Sequence, residues 1–351
     1  MTQVPDWLLF FERTYPSANV ALIRGEHPVL VDTGYGSELA ATENLLREAG
    51  VPPESLSLIV NTHYHSDHVG GNGGLQRRYE TPVAAHRWEA ALVNNRDREA
   101  CSAEWLGQPV EPYEVNIPLS DGDEVDAGGV ALEVLHTLGH TLGHISLYAP
   151  EEQVFIFEDA VHDDVAWINP YREGAGALER TAESLDRLAR LPIRWACSGH
   201  GPAIEDPLAV IDGARRRYDK WLSDPQKAAW HGCKRIFSYA LMLRDGLDKA
   251  EVTDYLLGCP WFQDYAVTAS GWSRRSSSSR CSRRCSAPRP PGGEMDAWWS
   301  WRRIPRRPRT GRPSPPGRRT GQHHSTGRPR IKESSWPYTK FALEPRFELP
   351  N

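Results

Sequence analysis

Asn61–Gly71 reads NTHYHSDHVGG and places His63, His65, Asp67 and His68 within six positions. Imidazole nitrogens and carboxylate oxygens are the borderline ligands that zinc and similar transition metals prefer. The run LSLIV just before it reads as a buried strand, so the histidines fall on a loop leaving that strand. On such a loop alternate residues such as His63 and His65 can point the same way onto one metal. Asp67 and His68 follow as the chain turns toward a helix and can face a second. Gly70, Gly71, Gly73 and Gly74 let the backbone turn tightly around the ions.

Working outward, NVALIRG and PVLVDTG are β-rich runs separated by Glu26-His27-Pro28, the pattern of a hairpin. SELAATENLLREAG spaces its apolar residues as a helix does and ends in glycine. ALEVLH, HISLYA, QVFIFED and IRWACSG are further strand candidates, and ALERTAESLDRLARL and PLAVIDGARRRYDKWL are amphipathic helices. Paired strands followed by strand–helix alternation predict a mixed α/β layer protein.

HYHSDH resembles the HxHxDH signature of the metallo-β-lactamase superfamily, and three further elements of that pattern follow in order. TLGHTLGH supplies His140, FIFEDA supplies Asp159, and CSGHG supplies His200. The resemblance runs from about Asn19 to Ile204. It implies a four-layer αββα fold with the site in loops at one edge of two sheets. It also implies that His63, His65 and His140 hold one Zn2+, that Asp67, His68 and His200 hold a second, and that Asp159 bridges them. Asp32, in VLVDTG, would accept a hydrogen bond from a ligand imidazole and fix its orientation. His144 fits no ligand position and is expected to support the site from behind. His86, His136 and His162 are expected to be surface or core histidines, with His162 near enough to Asp159 to reach a substrate. Cys197 is read as a buried strand residue, not a nucleophile.

Two metals about 3.5–4 Å apart share a water, lower its pKa and polarise a carbonyl. Asp67 and Asp159 would be the catalytic carboxylates, orienting the nucleophile and handling its proton. The expected reaction is therefore hydrolysis of an ester-type bond in a small-molecule substrate: a lactone, such as an N-acyl-homoserine lactone, or a thioester. Within the family, Asp159 argues against a dedicated β-lactamase and His65 against the diiron flavoprotein branch. A mononuclear iron persulfide dioxygenase, which uses only the first site, stays open, as do β-lactam and phosphodiester hydrolysis. Trp167, Ile168 and Tyr171 could line an apolar acyl channel. Arg215, Arg216 and Arg217 follow the last ligand where a glutathione thioesterase would offer basic residues.

Charge divides the chain. From Gly271 to Asn351 there are 19 Lys and Arg against 5 Asp and Glu, a surplus of +14, so the first 270 residues carry −19 of the total −5. Three segments follow: a catalytic domain over 1–207, a helical extension over 208–268, and a basic low-complexity tail over 269–351. Arginine, serine, proline and glycine dominate the tail, which cannot bury enough surface to offset chain entropy and is expected to be disordered. Such text is also what GC-rich coding sequence yields out of frame. A nucleic-acid arm is the weaker reading, with Trp298, Trp299 and Trp301 available to stack on bases. An acidic body is poorly suited to polyanions. CSRRC at 281–285 has the look of a zinc half-site but no partner half follows. The N-terminus has no basic start and no stretch approaches about 20 apolar residues, so a cytoplasmic protein without a membrane span is expected.

Overall fold

The structure, a computed structural model, describes residues 4–161, 176–265 and 331–332. Two sheets pack face to face. The first runs in sequence order: β1 (Leu8–Phe11), β2 (Val20–Ile23), β3 (Val29–Val31), β4 (Leu58–Val60), β5 (Val83–His86) and β6 (Ile117–Leu119). β1 to β3 are antiparallel and β3 to β6 parallel. The second contains β7 (Glu124–Asp126), β8 (Ala131–His136), β9 (Ile145–Ala149), β10 (Val154–Ile156), β11 (Trp195–Cys197) and β12 (Ile331–Lys332), ordered β11-β10-β9-β8-β7-β12. All its pairings are antiparallel except β10 with β11.

Period-two alternation decides which residue faces which layer. Ala21 and Ile23 of β2, Val29 and Val31 of β3, and Leu58 and Val60 of β4 point between the sheets. They meet Ile145 and Leu147 of β9, Val154 and Ile156 of β10, and Trp195 and Cys197 of β11. The intervening Leu22, Leu30 and Ile59 turn outward, where α1 (Leu39–Glu48) contributes Leu46 to the same cluster. The sequence between Asn61 and Leu106 then supplies α2 (Ser66–Val69), α3 (Asn72–Tyr79), α4 (Arg87–Asn94) and α5 (Ala103–Leu106). On the second sheet's outer side, Phe155 and Ala196 are covered by α6 (Ala177–Leu188) and α7 (Pro207–Ser223). Burial of each large aliphatic side chain stabilises by roughly 1.5–3 kcal/mol. The result is a four-layer αββα sandwich, the architecture expected from the sequence.

α6 buries Leu178, Ala182, Leu185 and Leu188, which fall on one face at helical spacing. α7 begins with Pro207 in its first turn, and the Asp206 carboxylate accepts from the Ala209 N–H as its cap. α8 (Pro225–Leu243), α9 (Val252–Gly258) and α10 (Pro260–Asp264) continue the chain. They form their own cluster around Phe237, Leu256, Trp261 and Phe262, together with Trp105 and Leu106 of α5. The Trp105 indole donates to Asp264 at 2.7 Å and closes that contact.

Short strands were the hardest to read from sequence. β1 looks like a stray apolar run, β5 is alanine-rich, and β6 contains Pro118, tolerated because β6 is an edge strand. Apart from Ile331–Lys332, the tail lies outside the described residues, including Cys281, Cys285, Trp298, Trp299 and Trp301. Among the described residues no helix is long and apolar enough to cross a membrane.

Candidate metal centre

Strand direction brings the site together. β3, β4 and β5 run parallel, as do β8, β10 and β11, and the loops at their C-terminal ends converge on one edge. β3 delivers Asp32, β4 delivers His63 to His68, β8 leads to His140, β10 to Asp159, and β11 to His200.

His63, His65 and His140 form the tightest group. His63 Nε2 lies 3.1 Å from His65 Nδ1, His65 Nδ1 lies 2.9 Å from His140 Nε2, and His140 Nε2 lies 3.2 Å from His63 Nε2. Three nitrogens at the corners of a tetrahedron with zinc bonds of 2.0–2.1 Å would be about 3.3 Å apart. Burial, reinforced by the neighbouring imidazoles, holds His63 and His65 well below the ordinary histidine range, so both are neutral and offer lone pairs.

The second group is Asp67, His68 and His200. His200 Nε2 approaches Asp67 Oδ2 at 3.3 Å, and His68 Nε2 lies 3.9 Å from the same oxygen. Burial raises the Asp67 pKa, but His68 and the hydrogen bond from His200 outweigh it and leave this carboxyl below its usual range. Asp159 stands between the groups. Its Oδ2 is 3.3 Å from His140 Nε2, and its Oδ1 is 3.8 Å from His68 Nε2 and 3.7 Å from His200 Nε2. His68 Nε2 is buried without a hydrogen-bond partner among the described residues. A buried nitrogen aimed at two carboxylates and left unsatisfied fits a cation at that point. The donor set, all imidazole and carboxylate, suits zinc and related metals.

The surrounding residues fix these side chains. Asp32 Oδ2 accepts from His68 Nδ1 at 2.8 Å, while the same carboxylate accepts from Thr62 N and Thr62 Oγ1 at 2.9 and 2.6 Å. His144 stacks on His63 with ring centroids 5.1 Å apart, and its Nδ1 meets Thr137 Oγ1 at 2.9 Å. Cys197 is fully buried in β11. His86 and His136 belong to none of the ligand groups and stack on each other with ring centroids 4.0 Å apart. Arg215 is engaged by Asp186 and Asp219, and Arg216 by Asp212, so neither guanidinium is directed at the centre. Trp167, Ile168, Tyr171 and His162 lie outside the described residues.

Three contributors were missed from sequence. Asn19 clamps the His200 loop, donating through Nδ2 to the carbonyls of Ser198 and Gly201 at 2.8 Å each and through its backbone to Gly199 at 2.7 Å. Glu89 of α4 accepts from Thr141 Oγ1 at 2.6 Å, beside His140. Glu158 is buried with Oε2 3.7 Å from His68 Nδ1, and burial together with Asp32 pushes its carboxyl well above the usual carboxylate range. An asparagine near a β-strand or a glutamate in a helix carries no local signal of such roles. Glu158, next to Asp159 at a strand end, was the one with a positional hint.

A profile of the metallo-beta-lactamase superfamily matches residues 13–200. The chain belongs to this superfamily. Its similarity to the human acyl-coenzyme A thioesterase MBLAC2 is 31% identity over 209 residues, covering 50% of this chain and 72% of that protein. It is 30% identical over 183 residues to the hydroxyacylglutathione hydrolase of Hyphomonas neptunium, covering 50% and 62%. It is 32% identical over 151 residues to an N-acyl homoserine lactonase of a Bacillus species, covering 36% and 56%. Among solved structures, a metallo-beta-lactamase family protein of Thermus thermophilus superposes with a TM-score of 0.57 at 26% identity, covering 67% of this chain and 89% of that one. The described residues thus bring together histidine and aspartate groups of a metal-binding superfamily.

Proposed function

We propose that this superfamily member is a binuclear, zinc-dependent hydrolase that cleaves an ester-type acyl bond, a thioester or a lactone. The observation that carries the reading is Asp159, whose two oxygens face different histidine groups, Oδ2 toward His140 and Oδ1 toward His68 and His200. In this reading His63, His65 and His140 would hold one ion and Asp67, His68 and His200 the other, with Asp159 placed to contribute to both. When bound, the ions would activate water and polarise the acyl carbonyl.

The chain's own part falls to two carboxylates. Asp67, kept anionic by His68 and His200, accepts a hydrogen bond from water lying between the groups and takes up its proton at Oδ. Asp159 orients the same water from the other side. Asp32 keeps His68 Nδ1 protonated, so that Nε2 is the nitrogen presented to the centre. The thioesterase and lactonase among the relatives support an acyl substrate. Trp167, Ile168 and Tyr171 remain the proposed lining for its acyl chain.

The test is a hydrolysis panel on metal-stripped and zinc-reconstituted protein, with a hydroxyacyl thioester, a long-chain acyl lactone, a β-lactam and a phosphodiester. Turnover of the thioester or the lactone should rise to its maximum at two zinc equivalents. A single bound iron with oxygen uptake on a persulfide substrate would replace this reading with the dioxygenase, and turnover of the phosphodiester alone would remove the acyl assignment.

A further inference from the structure

Tyr239, on α8 of the helical segment, bonds to a loop 223 positions earlier in the chain, beside the second ligand group. Its hydroxyl donates to the Pro16 carbonyl at 2.8 Å, and the Ser66 side chain is within hydrogen-bonding reach. Its ring meets the Tyr15 ring edge-on, with centroids 5.8 Å apart and planes at 71°. Tyr15 in turn lies flat on the His200 imidazole, 4.8 Å away with only 3° between planes. Ser66 directly precedes Asp67 in the chain and donates to Gln108 Oε1 at 2.6 Å. The Ala18 N–H donates to the Asp67 carbonyl at 3.1 Å, which joins the Tyr15 loop to the Asp67 loop. One hydroxyl on α8 therefore touches both loops that border the second ligand group.

Resting on the assignment of Asp67, His68 and His200 to a second metal, we propose that Tyr239 is a positioning residue for that metal. It acts through Tyr15. The Tyr15 ring leaves the His200 imidazole one plane of rotation, and Tyr239 stops the Tyr15 ring from tilting off it. In that plane His200 Nε2 faces Asp67 Oδ2 at 3.3 Å. Asn19 holds the carbonyls of Ser198, Gly199 and Gly201 on either side of His200, and an aromatic face against the imidazole restrains its rotation without using either nitrogen. The ring contacts described for Tyr239 and Tyr15 lead to His200 of the second group. Through that stack the helical segment bears on the second position.

The experiment is titration of the metal-stripped, full-length protein with Zn2+, followed by calorimetry, on wild type and on Tyr239→Phe, Tyr15→Leu, Tyr15→Phe and Tyr255→Phe. Wild type should take two equivalents. Tyr239→Phe and Tyr15→Leu should weaken the second by about 10–100-fold and leave the first unchanged, the range seen when residues that orient a ligand are removed. Tyr15→Phe keeps the ring and should restore the second equivalent to wild-type affinity. Tyr255→Phe alters the same helical segment away from the centre and should change neither. Equal wild-type affinity for both equivalents in Tyr239→Phe and Tyr15→Leu would overturn the proposal, as would loss of both equivalents together or an equal loss in Tyr255→Phe. A wild type that takes only one equivalent would instead overturn the two-metal reading beneath it.

Discussion

His68 Nδ1 donates to Asp32 Oδ2 at 2.8 Å, and both side chains are completely buried. Asp32 sits in the left-handed region, with φ of 59°, at the turn that ends β3, and this turn aims its carboxylate across to the histidine loop. The pair fixes which nitrogen of His68 faces Asp67 and Asp159. Burial opposes the His68 cation, but Asp67 and Asp32 outweigh it and lift its pKa well above the ordinary value. Asp32→Ala should therefore strip the Thr62 N–H of its acceptor and His68 of its partner. The expected cost is about 3–5 kcal/mol of stability, together with weaker metal binding at the group of Asp67, His68 and His200. Denaturant unfolding and metal analysis of the purified variant check both, and unchanged zinc content would show that His68 orients itself.

Gly199 has no room for a side chain. A Cβ there would lie 2.4 Å from Asp159 Oδ1, 2.9 Å from Glu158 Oε2 and 2.9 Å from His68 Cε1. Gly199→Ala should displace the Asp159 carboxylate and lower kcat by more than about 100-fold, about 2.7 kcal/mol of barrier. Gly201 is the contrast: nothing lies within 4 Å of its Cβ direction, but its φ is +81°. Gly201→Ala should cost about 1–2 kcal/mol of stability through backbone strain alone and leave the metal content unchanged. Unfolding curves and zinc stoichiometry of the two variants separate a steric effect on the centre from a conformational effect on the fold.

Glu89 and Thr141 form a buried hydrogen bond of 2.6 Å that anchors the loop carrying His140 to α4. Gly143 makes the approach possible, since a Cβ there would come within 2.4 Å of Glu89 Cγ. Thr141→Val should cost about 1–3 kcal/mol, because a buried acceptor loses its donor. Combining it with Glu89→Gln should add less than the sum of the two changes, and a double-mutant cycle by denaturant unfolding reads that coupling. Additive effects would mean that the bond does not anchor the loop.

His86 supplies the acid-sensitive element. It is buried at the N-terminus of α4, where its Nδ1 accepts from Trp88 N at 3.3 Å and its ring stacks on His136. Burial, with smaller effects from His136 and Arg87, lowers its pKa to about 3. The unfolded chain, with the ordinary value of 6.5, binds this proton first as pH falls, so the contribution of His86 is complete above pH 6.5 and is lost between 6.5 and 3. The loss is on the order of a few kcal/mol. His86→Asn keeps an acceptor for the helix end and does not titrate, so its stability should fall less steeply over that interval. Thermal unfolding of the two proteins from about pH 7 to about pH 4, inside that window, gives the comparison. Parallel curves would remove His86 from the acid response.

The sequence by itself determined the elements whose information is local. Apolar runs such as VALI, VLV, LIV and ISLYA marked the buried strands, and four short motifs brought in His63, His65, Asp67, His68, His140, Asp159 and His200. Those residues carry their chemistry in their own side chains, so their types and order were enough to raise the metal reading. Only the tertiary structure decided what holds them. Asn19 against Ser198, Glu89 against Thr141, and Tyr239 against Pro16 are contacts across 179, 52 and 223 positions. Each depends on where a strand ends and which way a side chain leaves it, and none is written in a local pattern. The short strands β5 and β6 were illegible for the same reason. Three or four residues carry too little periodicity to stand out, and it is their neighbours in the sheet that make them strands.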